Sequence, residues 1–203
     1  MPTKTAANTG ERLRNLPAEL SSDSDFEQIA QALNAGNNAL LDGVYGSSCA
    51  LAVTTLSYQT RFDMCLLVAS DAKQLDALAS DLEVFTDQSV AIFPALDATS
   101  GRSTLMDEAY GERLRLLKQL ARGNYPKLLV TSVQSLQQPV PSVQEVADQT
   151  RWLRMSGTLD VDELASWLVE HDYHHTTAVE LPGEFSVRGG IVDIFATDWV
   201  DPV

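Results

Sequence analysis

Gly189 and Gly190 stand between Gly183-Glu184-Phe185-Ser186-Val187-Arg188 and Ile191-Val192-Asp193-Ile194-Phe195. Adjacent glycines break a helix and permit a bulge or a positive φ, so this stretch is committed to extended structure. The run after the pair is apolar and β-branched around Asp193 and reads as a buried strand. Arg188, just ahead of the pair, admits two readings. It is a solvated edge residue, or the break aims its guanidinium at a partner's carboxylate, where a planar donor fork matters.

Upstream, strand-like and helix-like segments alternate. Phe26, Ile29, Ala30 and Leu33 fall on one helical face, and Ala39-Leu40-Leu41 reads as a short buried strand. A glycine loop leads into a helix over 51–59. Strands at 64–69, 90–93 and 128–131 then alternate with helices at 72–85 and 104–122, with a polar loop at 97–103 and a short helix at 132–137. The long helix places Leu114, Leu117, Leu120 and Ala121 inward and ends at Gly123 as a C-cap. Its outer face carries Arg113, Arg115, Lys118 and Arg122, either a solvated face or a docking surface for an acidic neighbouring domain. Such alternation argues for an α/β fold with a parallel sheet and helices on both faces.

After Pro141 the pattern changes. A short strand at 151–155 and a turn at Gly157 precede Asp160, an N-cap with Glu163 placed for a capping box. Val161, Leu164, Ala165 and Leu168 form an inner helical stripe, and an extended stretch at 176–181 leads to the Pro182-Gly183 turn. The chain thus divides into a mobile arm at 1–22 with one helical turn at 11–16, an α/β domain at 23–148, and a small α+β domain at 149–203.

The loop Gly43-Val44-Tyr45-Gly46-Ser47-Ser48-Cys49-Ala50 follows a strand and precedes a helix, the order of a phosphate-binding loop. Gly43 matches the first glycine of that pattern, but Ser48 replaces the second, Cys49 the lysine and Ala50 the hydroxyl residue. A thiol supplies no fixed charge to phosphates, and alanine cannot ligate magnesium. No acidic pair follows a strand as a magnesium site requires; Asp107-Glu108 and Asp162-Glu163 fall at helix starts, where acids complement the dipole. A degenerate loop with at most weak anion binding is expected; the competing class is a divergent P-loop ATPase or helicase half using 43–50.

Acids number 28 against 14 bases, a net charge of −14, and the two sides of residue 150 each carry about half of it. Neutralising DNA phosphates needs a basic stripe, so protein contact is expected, with weak or no direct DNA binding. No apolar run is long enough for a membrane span and no signal-peptide pattern opens the chain, so a cytoplasmic protein with buried thiols at Cys49 and Cys65 is expected. His171, His174 and His175 lie near a helix end, where they can bond free carbonyls, with no thiolate in range; no metal is expected.

The stretch 183–195, as G-E-F-x-V-R-G-G-I-x-D-I-F, resembles the hallmark of the small second domain shared by UvrB and the bacterial transcription-repair coupling factor, Mfd. The likeness spans roughly 25–203. It includes Phe93-Pro94-Ala95, Gly111-Glu112-Arg113-Leu114, Val130-Thr131-Ser132-Val133-Gln134-Ser135-Leu136, and Leu159-Asp160-x-Asp162-x-Leu164 ahead of Tyr173. Glu184, Gly190 and the lack of a tyrosine-rich insertion in 94–110 resemble the coupling factor more than UvrB. The resemblance implies a degenerate helicase-like α/β domain followed by a small UvrA-binding domain. It implies a non-catalytic module that recruits UvrA to stalled transcription complexes in nucleotide excision repair. The implied UvrA-binding residues are Arg188, Phe185, and His174 and His175, which stand where the family often has an arginine; Ser186 stands where UvrB has one. No cofactor is implied for this region, ATP and magnesium belonging to the motor domains. Motor or C-terminal domains of a longer chain of its own would be further partners.

Overall fold

The computed structural model describes residues 4–96, 107–154 and 157–203. The loop expected at 97–103 and the helix start at 104–106 lie outside these residues. Two compact units form, Met1–Phe93 with Tyr125–Leu136, and Pro94–Asn124 with Gln137–Val203. The sequence reading divides the chain at 148 instead, because it follows chain order and has no signal for a segment that leaves a unit and returns.

In the first unit a parallel sheet has the order β1 (Cys65–Ala69), β3 (Leu128–Ser132), β2 (Val90–Phe93). β3 is central and buried at every position, as its unbroken Leu-Leu-Val run requires. Helix α4 (Lys73–Phe85) connects β1 to β2 across β3 and buries Leu75, Ala79, Leu82 and Phe85 against Leu67, Leu128 and Val130. Helix α3 (Ser47–Gln59) packs on α4, and α2 (Ser24–Asn34), capped by Asp23, packs on α3. The short α6 (Val133–Leu136) follows β3.

Three expectations change here. Residues read as an arm form α1 (Lys4–Leu20), which packs on α3 and α4. Leu13, Leu16, Pro17 and Leu20 recur at helical spacing, and Leu13 and Leu16 join the core. Pro17, fully buried, hides that periodicity. Ala39-Leu40-Leu41 is not a strand: Leu40 is 88% exposed, and three apolar residues between Asn38 and Asp42 are too few to hold a place in a sheet. The sheet is also not covered on both faces along its whole width, because Leu66 and Val68 of the edge strand β1 are exposed among the described residues.

In the second unit, α5 (Glu108–Ala121), α7 (Val143–Asp148) and α8 (Val161–Glu170) accompany a three-stranded mixed sheet. There β4 (His174–His175) runs parallel to β5 (Glu184–Arg188), and β6 (Ile191–Phe195) runs antiparallel to β5. Asp107 caps α5 through the amides of Ala109 and Tyr110, and Asp160 caps α8 through Asp162 and Glu163. The reciprocal capping box occurs at Ser142 and Glu145 of α7, while Glu163 pairs with Arg151 at 2.8 Å. The strand expected over 151–155 is irregular through residue 154, Met155 lying outside the described residues, and Trp152 and Leu153 are exposed.

Helix α5 is rotated from the expected setting. Gly111, Arg113 and Leu116 face inward. Arg113, expected on the outer face, is 3% exposed and donates to the carbonyls of Pro94 and Pro139 and to Gln138 Oε1. Burial pushes its pKa below the usual arginine value. Gly111 is required by approach: a Cβ there would lie 2.3 Å from the Thr197 carbonyl oxygen. Gly111-Glu112-Arg113-Leu114 is therefore a packing motif. No helix among the described residues is long and apolar enough to cross a membrane.

Candidate partner-docking face

The turn at Gly189 and Gly190 has φ of 55° and 86°. Positive values at both central residues are the signature of a type I′ hairpin turn, whose twist matches the flanking strands. The glycines thus close a two-residue hairpin rather than a bulge. The pairing is Arg188 with Ile191, Val187 with Val192, Ser186 with Asp193, Phe185 with Ile194 and Glu184 with Phe195.

Directly paired residues share a face and successive residues alternate, so this register sorts the site. Phe185, Val187, Val192 and Ile194 face the core built on Leu164 and Leu168 of α8. Glu184, Ser186, Arg188, Ile191, Asp193 and Phe195 line the other face. On it Arg188, Ile191 and Asp193 are exposed, and Arg188 has no carboxylate partner among the described residues. It ends β5 as a cation held by a tight turn beside an exposed isoleucine.

The other expected site residues fall on both sides. Phe185 is 1% exposed, a core residue under the sheet rather than a surface contact. His175 pairs with Phe185 in the parallel ladder, and their rings lie 5.1 Å apart. His175 therefore belongs to the core-facing side at the sheet edge, with its ring in solvent. His174 pairs with Glu184 and shares the face of Arg188, which lies four residue steps, roughly 13 Å, farther along the strand direction. The sheet thus joins His174 to Arg188 and separates His175 from both. Ser186 is buried on the Arg188 face.

Local bonds hold this geometry. Helix α8 ends through Asp172 in the left-handed region (φ 62°), with the Tyr173 amide donating to the Leu168 carbonyl, a Schellman-type closure that turns the chain into β4. The Glu184 carboxylate accepts from the amides of Glu180 and Leu181 and ties down the preceding turn. His171 Nδ1 lies 2.8 Å from the Trp167 carbonyl, so this histidine bonds a helix-end carbonyl as expected. Among the described residues no group of His, Cys, Asp and Glu is placed to hold a metal.

Ile191 and Asp193 escaped the sequence reading as site residues. A two-residue turn at Gly189-Gly190 places them on the face of Arg188 by alternation alone, so the signal lay in recognising the hairpin.

The loop Gly43–Ala50 belongs to the first unit. Gly43 and Gly46 have φ of 75° and 55°, and α3 begins directly after Gly46. Ser48 Oγ donates to the Tyr45 carbonyl at 2.5 Å and accepts from the Tyr45 amide at 3.1 Å, while the Cys49 thiol lies 3.4 Å from the Val44 carbonyl. Ala50 is in the core. These side chains turn into the loop or the core. Cys49 and Cys65 are both free and half-buried, more open than expected.

Residues 152–203 match the family model of the UvrB interaction domain. The chain is 28% identical over 192 residues to the transcription-repair-coupling factor of Bacillus subtilis (strain 168), covering 93% of this chain and 16% of that protein. It is 31% identical over 180 residues to the factor of Staphylococcus aureus (strain bovine RF122 / ET3-1) and 30% identical to that of strain MRSA252, in each case covering 87% of this chain and 15% of the relative. The chain spans about one-sixth of the length of these relatives. Similarity to these factors over 87–93% of the chain, with the UvrB interaction domain matched at its C-terminal quarter, supports an N-terminal region of a transcription-repair coupling factor.

Proposed function

We propose that this chain is a non-catalytic recruitment module that binds UvrA through the exposed hairpin end of the β4–β5–β6 sheet, with Arg188 as the charged anchor and Ile191 as the apolar contact beside it. The observation that carries the reading is the exposed Arg188, unpaired with any carboxylate among the described residues and held by a type I′ hairpin inside the UvrB interaction domain. In the longer proteins such a module would bring UvrA to stalled transcription complexes. Their motor or C-terminal domains would mask the same face when UvrA is absent.

On this reading the first unit is a helicase-like α/β scaffold whose nucleotide loop is retired. Supporting it, the lysine position holds Cys49, and Ser48 and Cys49 are engaged with the loop's own carbonyls. The segment ahead of the loop also supplies no strand.

Photo-crosslinking tests both the partner and the face. A benzophenone side chain at Ile191, exposed at the hairpin end, is expected to crosslink UvrA; the same probe at Val169, exposed on α8, is not. Crosslinking from Val169 but not Ile191 would place the contact elsewhere, and none from either position in a folded protein would remove UvrA as the partner.

A further inference from the structure

All three tryptophans of the chain, Trp152, Trp167 and Trp199, line one cavity of about 440 Å³ in the second unit. Four of its 14 cationic residues, Arg115, Lys118, Arg122 and Arg151, line the same cavity. In a chain of net charge −14 this is a local reversal of sign. The one acid among the described lining residues is Asp198. Its carboxylate is engaged by Lys118 at 2.9 Å and its carbonyl accepts from Arg115 Nε at 2.8 Å. Arg151 pairs with Glu163, which lies outside the lining. Arg122 has no carboxylate partner among the described residues; its guanidinium carbon sits 4.7 Å from the centre of the Trp152 ring.

Core packing accounts for only one of these indoles. Trp167 packs against the Leu164, Leu168 and Phe185 cluster and stacks on His171. Trp152 and Trp199 are 67% and 44% exposed. Indole faces left in solvent forgo the burial that ordinarily stabilises a tryptophan, and they do so here at the mouth of a cationic hollow. Flat π-faces beside guanidinium and ammonium groups are the elements that bind nucleotides without reading sequence, the base stacking and the phosphate meeting the cations. The volume lies within the usual range for a small-ligand site.

We infer that this cavity binds a nucleoside phosphate, its base against Trp152 or Trp199 and its phosphate among Arg122, Arg115 and Lys118. The site is proposed to bind and not to react, since the one carboxylate among its described lining residues is already engaged and no metal-holding group occurs among the described residues. It is separate from the Gly43–Ala50 loop, which lies in the first unit, and it does not depend on UvrA binding. An acidic peptide would satisfy the charges but leave the indole faces unused.

The tryptophans are also the reporters. Indole N–H signals of the ¹⁵N-labelled chain, assigned by single Trp→Phe variants, are followed while AMP, adenosine, inorganic phosphate or tetraglutamate is added. Saturable shifts of Trp152 or Trp199 are expected with AMP, and much weaker ones with adenosine or phosphate alone. Arg122→Ala, at an exposed position that leaves the core untouched, is expected to weaken AMP binding about tenfold or more, the scale for losing a charged hydrogen bond. Arg122→Lys is expected to recover part of the loss. No indole shift at millimolar AMP, shifts indifferent to Arg122→Ala, or a response to tetraglutamate but not AMP would each overturn the inference, the last in favour of a protein segment.

Discussion

Gly111 and Arg113 show how single residues set the second unit. Gly111→Ala forces a methyl group against the Thr197 carbonyl, a backbone atom that cannot swing aside. Its expected cost is about 1–3 kcal/mol in denaturant unfolding; an unchanged midpoint would mean that the helix slides freely. Arg113→Lys is expected to be destabilising although it keeps the charge, because an ammonium cannot bridge the Pro94 and Pro139 carbonyls and Gln138 together. Equal stability of this variant and the parent would contradict that role. Sequence placed Arg113 outward for a physical reason: its acceptors are loop carbonyls 19 to 26 residues away, and no helical periodicity encodes them. Phe185 was legible as a key residue but not in its setting. Alternation shows that Phe185 and Arg188 take opposite faces, yet which face meets α8 is decided only by packing.

At the scale of elements, the β5–β6 hairpin and α7 make separate claims. Gly190→Ala is expected to cost about 1–2 kcal/mol, the penalty for a Cβ in the left-handed region, whereas Gly189→Asn is tolerated because asparagine suits the first position of a type I′ turn. Equal losses for both variants in thermal unfolding would exclude that turn. In α7 the Ser142 amide and hydroxyl hold the Glu145 carboxyl below the usual glutamate range. A pKa depressed on folding stabilises the helix above the unfolded value and loses that contribution as pH falls through the folded one. The protection of the α7 amides relative to intrinsic exchange at each pH should therefore fall on acidification through the carboxylate range, and Ser142→Ala, which removes the hydroxyl but keeps the amide, should remove only part of that pH dependence. Strands and helices with strong local signals, such as β2, β3, α4 and α8, were readable from periodicity and caps. The failures were short apolar segments, Ala39–Leu41 and 151–154, whose fate depends on neighbours, and α1, whose stripe runs through a proline.

For the whole molecule, two units share one acidic chain, and cations are few enough that each free one matters. The net charge of −14 argues against duplex DNA as the partner and for an exposed arginine that seeks a carboxylate. Arg188 stands out in the sequence as a lone arginine at a glycine break, and the fold gives its surroundings: the exposed hairpin end of a sheet face, with Ile191 beside it and His174 farther along. The central claim is tested most directly by the affinity of the folded chain for UvrA, measured by calorimetry for the parent and for Arg188→Ala. The account predicts saturable binding that Arg188→Ala weakens by about 1–3 kcal/mol, the scale of a lost charged hydrogen bond. Equal affinity of the two proteins, or no binding by the parent, would contradict it.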